Sequence, residues 1–360
     1  FKGEPLTRAY AEARMRWEPL YEVTQIKGDG ETHPLLSTDD EFADYENWDV
    51  SNLAGSAPKK PEMLQYEYAR SALKLGLELG QELGANPFKF GLFGTSDTHT
   101  ALATTREENY FGKYQHTEPS PDRHDREVIP ADDPKLRILT SQEVASGLMA
   151  VWARENTRRD IFDAMTRKEV YATTGTRIRV RVFAGWDFNE ADLHAADFTV
   201  VGYGGGVPMG GDLSEAPSGK APTFLIRALR DPDGANLDRI QVIKGWLDEK
   251  GEAHERVYDV AVSDGREVGA DGRCRQPVGN TVDVEKATYT NSIGDAIQAA
   301  RWTDPDFDPK QSAFYYVRVL EIPTPRWTTY DAAFFGIKRP DNVPATIQDR
   351  AYTSPIWYTP

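Results

Sequence analysis

Cysteine is almost missing from this sequence, since Cys274 is the only one among 360 residues. A single thiol excludes an intramolecular disulfide and a cysteine-based zinc cluster. Long hydrophobic runs are missing too, because no stretch approaches the ~18 consecutive apolar residues of a transmembrane helix. We therefore expect no membrane span.

Basic residues are in deficit. The chain has 42 Lys and Arg against 57 Asp and Glu, which gives a formal net charge of -15. Nucleic-acid binding needs a basic face, so this balance argues against a nucleic-acid partner. Bound metal ions can reverse the local field, so a small anionic substrate stays compatible with the charge.

The composition is that of a globular protein, with 39% hydrophobic and 11% aromatic residues. The length is sufficient for two domains. Residues 1–178 are predicted to be α/β, because helical segments at 1–19, 63–84 and 157–168 alternate with strands. Residues 179–360 contain several segments with period-two alternation, which predict an all-β sandwich.

One candidate site follows the buried strand predicted in KFGLFGTSDTH. Asp97 and His99 are two residues apart, and side chains at i and i+2 share one face of an extended chain. A carboxylate and an imidazole at the carboxyl end of a strand can bind a metal ion. Taken alone, a D-x-H spacing is a weak signal, and Asp97 as a helix cap is the alternative.

A second candidate follows the strand that precedes KGDGETHP. Asp29, Glu31 and His33 would all face one way if this segment is extended. Oxygen and nitrogen ligands without thiolate suit zinc, manganese or iron. The alternative is a hydrogen-bonded polar loop without a metal.

Charged residues near both motifs are candidates for substrate binding. Arg106, Asn109 and Lys113 follow the Asp97 motif, and Lys27 precedes the Glu31 motif. Such groups can orient an anion at the mouth of a site. The alternative is a surface loop with ordinary ion pairs.

Several segments, in their order along the chain, together resemble one known family. They include GDGETHP, KFGLFGTSDTHTAL, EENYFGK and the closing SPIWYTP. This is domain-of-unknown-function family 3604, placed in the PHP (polymerase and histidinol phosphatase) superfamily, and the resemblance extends over essentially the whole chain. It implies that residues 1–178 form the C-terminal part of a distorted (β/α)7 PHP barrel, followed by the β-sandwich.

The resemblance also implies a cluster of two or three divalent metal ions (zinc, manganese or iron). The last metal motif of PHP domains is D-x-H, which matches Asp97 and His99. An earlier E-x-H motif resembles Glu31 and His33. None of the six histidines forms the H-x-H pair that PHP domains carry near their start. We expect this pair in an upstream N-terminal portion of the same polypeptide, and the other interpretation is a degenerate site.

The resulting functional hypothesis is a metal-dependent hydrolase, with a phosphate ester as the favoured substrate. A metal-activated water would be the nucleophile, with Glu31 as a bridging or catalytic carboxylate and Lys113 stabilising the developing charge. The alternatives are hydrolysis of an amide, carboxylic ester or phosphonate, and a non-catalytic binding protein with a residual metal site. The resemblance mildly favours a periplasmic or secreted location, because exported members are common in the family.

Overall fold

The structure is a computed structural model that describes residues 5–145 and 147–360. Residues 1–4 of the predicted first helix lie outside the described residues. The helices are α1 (Arg8–Trp17), α2 (Pro61–Leu64), α3 (Ala69–Leu83), α4 (Arg158–Thr166), α5 (Glu190–Leu193), α6 (Phe198–Gly205) and α7 (Trp327–Phe335).

Three of these helices, α5, α6 and α7, lie within residues 179–360, so the prediction that this part is all-β was wrong. Strands occur in both halves of the chain. They are β1 (Leu20–Gln25), β2 (Gly28–Asp29), β3 (Gly91–Gly94), β4 (Glu127–Ile129), β5 (Ile138–Leu139), β6 (Leu148–Val151), β7 (Val170–Thr173), β8 (Arg179–Gly185), β9 (Gly206–Pro208), β10 (Asp212–Ser214), β11 (Thr223–Leu229), β12 (Leu237–Leu247), β13 (Ala253–Val262), β14 (Ile297–Thr303), β15 (Ala313–Glu321), β16 (Thr324–Pro325), β17 (Thr346–Ile347), β18 (Arg350–Thr353) and β19 (Ile356–Thr359).

Local sequence explains where the predicted helices begin and end. The Thr7 hydroxyl accepts the Tyr10 N–H at 3.2 Å before α1, and Thr157 caps α4 in the same way. Gly84 ends α3 with φ +69°, a left-handed conformation that glycine adopts without a steric penalty.

A small sheet carries the first candidate site. Its strand order is β2-β1-β3, in which β1 and β3 are parallel and β2 turns back from β1. Gly94 ends β3 where an added Cβ would lie 2.8 Å from Thr24 Cγ2 and 2.9 Å from the Thr173 carbonyl oxygen. Glycine therefore permits β3 to approach β1 and β7 at this end of the sheet.

Two largely antiparallel sheets pack face to face, and the larger one includes a parallel pair, β10 with β19. A four-stranded sheet, β14-β11-β8-β9, packs against an eight-stranded sheet that contains β12 and β15. Val182, Phe224, Val242 and Val317 are buried between the two sheets. Apolar side chains at alternate positions of the strands fill such a core.

The opposite face of the eight-stranded sheet is buried as well. Ile243 and Tyr316, each next in sequence to a residue of the sandwich core, pack with Leu73 of α3 and Leu92 of β3. All nine residues of β15 are buried, because this strand has a packed layer on each side. The sheet also includes β6 and β7, so it is continuous across the predicted boundary between residues 178 and 179.

The fold is thus a mixed arrangement of helices and mainly antiparallel sheets. None of the sheets that the described residues form closes into a barrel, so the predicted PHP barrel is not confirmed. Among the described residues, no helix has the length and apolar character needed to cross a membrane.

Candidate functional site

The first candidate site lies just beyond the carboxyl end of β3. The chain leaves the sheet through Thr95, whose N–H donates to the Thr24 carbonyl oxygen at 3.1 Å. Asp97 follows with φ +49°, a left-handed conformation that is uncommon for a residue other than glycine. Such conformations persist where surrounding contacts fix them, and they cluster at functional sites.

Two lysines hold the Asp97 carboxylate. Lys113 Nζ donates to Oδ2 at 2.6 Å and to the Asp97 carbonyl oxygen at 2.7 Å. Lys27, from the turn between β1 and β2, donates to the same Oδ2. Lys113 is buried, whereas a quarter of the Asp97 side chain is exposed. The structure therefore brings together three residues that were predicted from separate segments.

His99 completes this group. Its Nε2 lies 3.3 Å from Asp97 Oδ1, and its backbone N–H donates to the Lys113 carbonyl oxygen at 2.8 Å. The ring packs edge-on against Tyr114, and about half of the side chain is exposed. The charge of Lys113, followed by desolvation and the charge of Lys27, lowers the pKa of His99. A neutral imidazole, which the lowered pKa favours, can bind a metal ion.

The two lysines have pKa values below the usual range. Burial, followed by the charge of Lys113, lowers the pKa of Lys27 to about 8. Burial also lowers the pKa of Lys113. Two nearby carboxylates, Glu22 and Glu143, oppose these shifts. The group thus places two ammonium groups beside one carboxylate, that of Asp97, in a chain with a net charge of -15.

Glu143 is a residue that sequence reasoning missed. It is fully buried, its Oε2 accepts the Tyr110 hydroxyl, and its Oε1 has no hydrogen-bond partner among the described residues. Burial raises its pKa to about 7. Its segment, SQEVASG, contains no motif, so only the tertiary structure reveals a carboxylate close enough to act on the two lysines.

The second candidate segment is not extended, so the condition for a shared face is not met. The strand β2 covers only Gly28–Asp29, and Asp29 Oδ1 then accepts the Glu31 N–H at 2.9 Å. This local hydrogen bond turns the chain away from the sheet. Asp29, Glu31 and His33 consequently have different surroundings.

Glu31 lies in a buried ionic network. Its carboxylate accepts hydrogen bonds from Arg70 at 2.5 Å, Tyr316 at 2.5 Å and Arg318 at 2.8 Å. Asp40 bridges the same two arginines. Burial opposes ionisation, but the two arginines outweigh it and lower the pKa of Glu31. The predicted metal and catalytic roles of Glu31 stay predictions, and its observed partners favour a structural role.

His33 is buried with both ring nitrogens engaged. Nδ1 accepts the Leu35 N–H at 3.1 Å, and Nε2 lies 3.1 Å from Asp49 Oδ2.

The predicted substrate contacts Arg106 and Asn109 have surroundings that differ from those of Asp97. Arg106 pairs with Glu108 at 3.2 Å. Asn109 is exposed at the end of the 3-10 turn Glu107–Asn109. No hydrogen bond among the described residues links these predicted ligands or substrate contacts to Asp97.

The fit of a metal ion to the first site is partial. Asp97 Oδ1 and His99 Nε2 are close enough for one divalent ion to contact both atoms. Among the described residues, the only set of three or more such ligands within 4.8 Å of one another is Asp248, Glu252 and His254, on the β12–β13 hairpin. The first site therefore offers two protein ligands, fewer than the three or four of most zinc sites.

Comparison with known proteins supplies the family but no activity. No curated protein matches the sequence. The family described as Protein of unknown function (DUF3604) matches residues 1–360, which is the whole chain. The chain therefore belongs to the DUF3604 family.

Proposed function

We propose that this chain is a metal-dependent hydrolase of the PHP type that cleaves a phosphate ester. The observation that supports the proposal is the convergence of Lys27 and Lys113 on the Asp97–His99 pair, beyond the carboxyl ends of β1 and β3. Ligand sites of open α/β sheets lie at this edge of the sheet. The PHP assignment, including the partial barrel, rests on the resemblance of the D-x-H motif.

The two lysines account for recognition of an anion. Their ammonium groups share one carboxylate oxygen, so a phosphoryl oxygen can replace Asp97 as the partner of either lysine. Glu143 is buried behind this pair, and its charge raises the pKa of both lysines. We infer that Glu143 positions the lysines and keeps them protonated without touching the substrate.

Asp97 and His99 would hold the metal. When bound, a divalent ion lowers the pKa of a coordinated water and polarises the phosphoryl group. Lys113 donates two hydrogen bonds to Asp97 and accepts the His99 N–H, so in the absence of substrate one residue orients both proposed ligands. The remaining ligands would come from the substrate, from water and from the H-x-H segment that the resemblance implies.

The test is metal analysis and hydrolysis measured on the same purified protein. We would remove metal with a chelator, restore zinc, manganese or iron, and assay nitrophenyl esters of phosphate, phosphonate and carboxylate together with a nitroanilide. We expect phosphate-ester hydrolysis that falls by about 100-fold or more in Asp97→Asn and His99→Gln. Unchanged metal content and hydrolysis in both variants would rule the proposal out.

The chain offers a matched control for these variants. Asp248 and His254 form a similar pair, with Oδ2 and Nε2 3.0 Å apart, on the β12–β13 hairpin. Asp248→Asn and His254→Gln should leave phosphate-ester hydrolysis unchanged. A loss of hydrolysis in these variants would indicate that the catalytic metal site lies on the hairpin and not at Asp97 and His99.

A non-catalytic anion-binding protein is the second candidate. The shortfall of metal ligands favours it, because two protein ligands bind a metal ion weakly. It predicts binding of inorganic phosphate that Lys113→Met weakens, with no turnover of any ester under any metal. Turnover of an amide, carboxylic ester or phosphonate in the same assay would instead show that the protein is a hydrolase with a substrate other than a phosphate ester.

A further inference from the structure

A separate cavity of about 380 Å³ lies between the β7–β8 turn, the 3-10 turn Glu107–Asn109, the end of β15 and α7. This volume lies within the range of small-molecule sites. Six carboxylates border it: Glu107, Glu108, Asp231, Asp233, Glu321 and Asp349.

Arginines neutralise one part of this lining. Arg177 contacts Asp231 at 3.1 Å and Asp233 at 2.6 Å. Arg106 contacts Asp233 and Glu108, each at 3.2 Å. These three carboxylates therefore have cationic partners within the chain.

The other three carboxylates have no salt-bridge partner in the described part of the chain, and the more distant charges of Arg326, Arg230 and Arg350 act on Glu107, Glu321 and Asp349, respectively. Among the described residues, no Lys, Arg or His forms a salt bridge with Glu107, Glu321 or Asp349. Glu321 is only 2% exposed, and its Oε1 accepts the Thr176 hydroxyl at 2.5 Å. Its other oxygen accepts no hydrogen bond from the described residues, and neither does Asp349 Oδ2. The cavity thus contains carboxylate oxygens that lack a donor.

Buried carboxylates without a salt bridge carry a large desolvation cost unless they bind protons or a further cation. Burial and the charge of Asp349 raise the pKa of Glu107 to about 8 and that of Glu321 well above its usual range. Burial raises the pKa of Asp349 to about 6. A cation in this cavity would replace the protons and relieve the repulsion.

The spacing and the aromatic lining indicate which kind of cation fits. These carboxylates do not form a set with ligand atoms within 4.8 Å of one another, so they do not surround a single metal ion. Tyr289 and Tyr330 border the same cavity. Aromatic faces attract ammonium groups and contact the methylene groups attached to them. Carboxylates together with tyrosines therefore favour an organic cation.

We propose that this cavity binds a small organic cation, with its ammonium group between Glu321 and Asp349 and its carbon chain against Tyr289 and Tyr330. The site goes beyond the proposed hydrolysis and does not depend on it. Glu321 supplies a fixed carboxylate, because Thr176 holds one oxygen and leaves the other for the ligand.

The test compares four small probes by titration calorimetry and ligand-detected NMR on the complete chain. The probes are n-butylammonium and tetramethylammonium, with neutral n-butanol and anionic butyrate as counterparts. We expect both cations to bind and the other two probes to bind at least about tenfold more weakly. Equal affinity for n-butanol and n-butylammonium would overturn the proposal, as would the absence of binding by either cation.

Variants locate the binding. Glu321→Gln keeps the size of the side chain and should weaken n-butylammonium binding at least about tenfold. Tyr289→Leu provides a second measurement if Glu321→Gln does not fold, and it should weaken tetramethylammonium binding through loss of the ring. Asp248→Asn removes a carboxylate from the distant hairpin and should bind like the wild type. Wild-type affinity in both Glu321→Gln and Tyr289→Leu would place the cation elsewhere.

Discussion

The Nζ atom of Lys113 lies 2.6 Å from Oδ2 of Asp97 and 2.7 Å from its carbonyl oxygen. One buried ammonium group therefore fixes both the side chain and the backbone of a residue in the left-handed conformation. The same lysine accepts the backbone N–H of His99, so it organises the whole D-x-H motif. This arrangement leads to a prediction that does not require turnover.

Replacement of Lys113 by methionine should raise the pKa of His99. The charge of Lys113 is the main cause of the lowered value, and methionine retains the length of the side chain without the charge. The variant should also lose about 1–3 kcal/mol of unfolding free energy, because Asp97 loses a buried hydrogen-bond donor. NMR titration of the histidine ring protons and urea unfolding measure the two effects.

The matched control for this variant is Lys27→Met. Lys27 also lowers the pKa of His99, but its contribution ranks below those of Lys113 and burial. Its replacement should therefore produce a smaller upward shift. Equal shifts in the two variants, or none in Lys113→Met, would contradict the proposed role of Lys113.

Replacement of Glu31 by glutamine tests whether this residue is structural. Loss of the charge removes one of the three anionic partners of the buried Arg70 and one of the two of the buried Arg318, which costs about 3–5 kcal/mol in similar networks. The pKa of Glu31 is lowered in the folded state, so its contribution is present above the ordinary value of 4.5 and is lost as pH falls. The stability gap between wild type and variant should shrink below about pH 4.5.

Glu62→Gln is the control, because Glu62 is exposed in the first turn of α2. It should change the unfolding free energy by less than about 0.5 kcal/mol. The metal content of Glu31→Gln provides the contrasting result. If Glu31→Gln unfolds with wild-type stability but no longer binds metal, Glu31 is a metal ligand and not a structural residue.

Most of the secondary structure was predictable from local patterns. The alternation in β8, β11, β12, β13 and β15 and the caps of α1 and α4 depend on neighbouring residues, which the sequence displays directly. The Asp97–His99 pair was predictable for the same reason. Its two residues are close in sequence and stay close in space.

The ionic partners were not predictable. Arg70 and Arg318 reach Glu31 across 39 and 287 positions of the chain, and nothing in GDGETHP distinguishes a ligand from a residue in such a network. A shared face of Asp29, Glu31 and His33 required an extended segment, but the Asp29 side chain accepts the Glu31 N–H and turns the chain. Glu143 was missed because its importance comes from burial alone.

The stability of the protein should also depend on pH through Glu107. Its two oxygens accept the N–H groups of Ala145 at 3.2 Å and Trp327 at 2.5 Å, yet burial and Asp349 raise its pKa to about 8. The folded state then binds a proton that the unfolded state releases near 4.5, so this contribution to stability is lost as pH rises towards 8. Glu107→Gln should remove this loss.

The measurement is urea unfolding of wild type and Glu107→Gln at pH 5.5, 7 and 8.5, with the exposed Glu285→Gln as control. The glutamine amide does not titrate in this range. The unfolding free energy of the variant, relative to that of the wild type, should therefore rise by more than about 1 kcal/mol between pH 5.5 and pH 8.5. Because both proteins share every other titrating group, the difference between them isolates Glu107. A difference that stays constant with pH, as expected for Glu285→Gln, would contradict the raised pKa of Glu107 in the folded state.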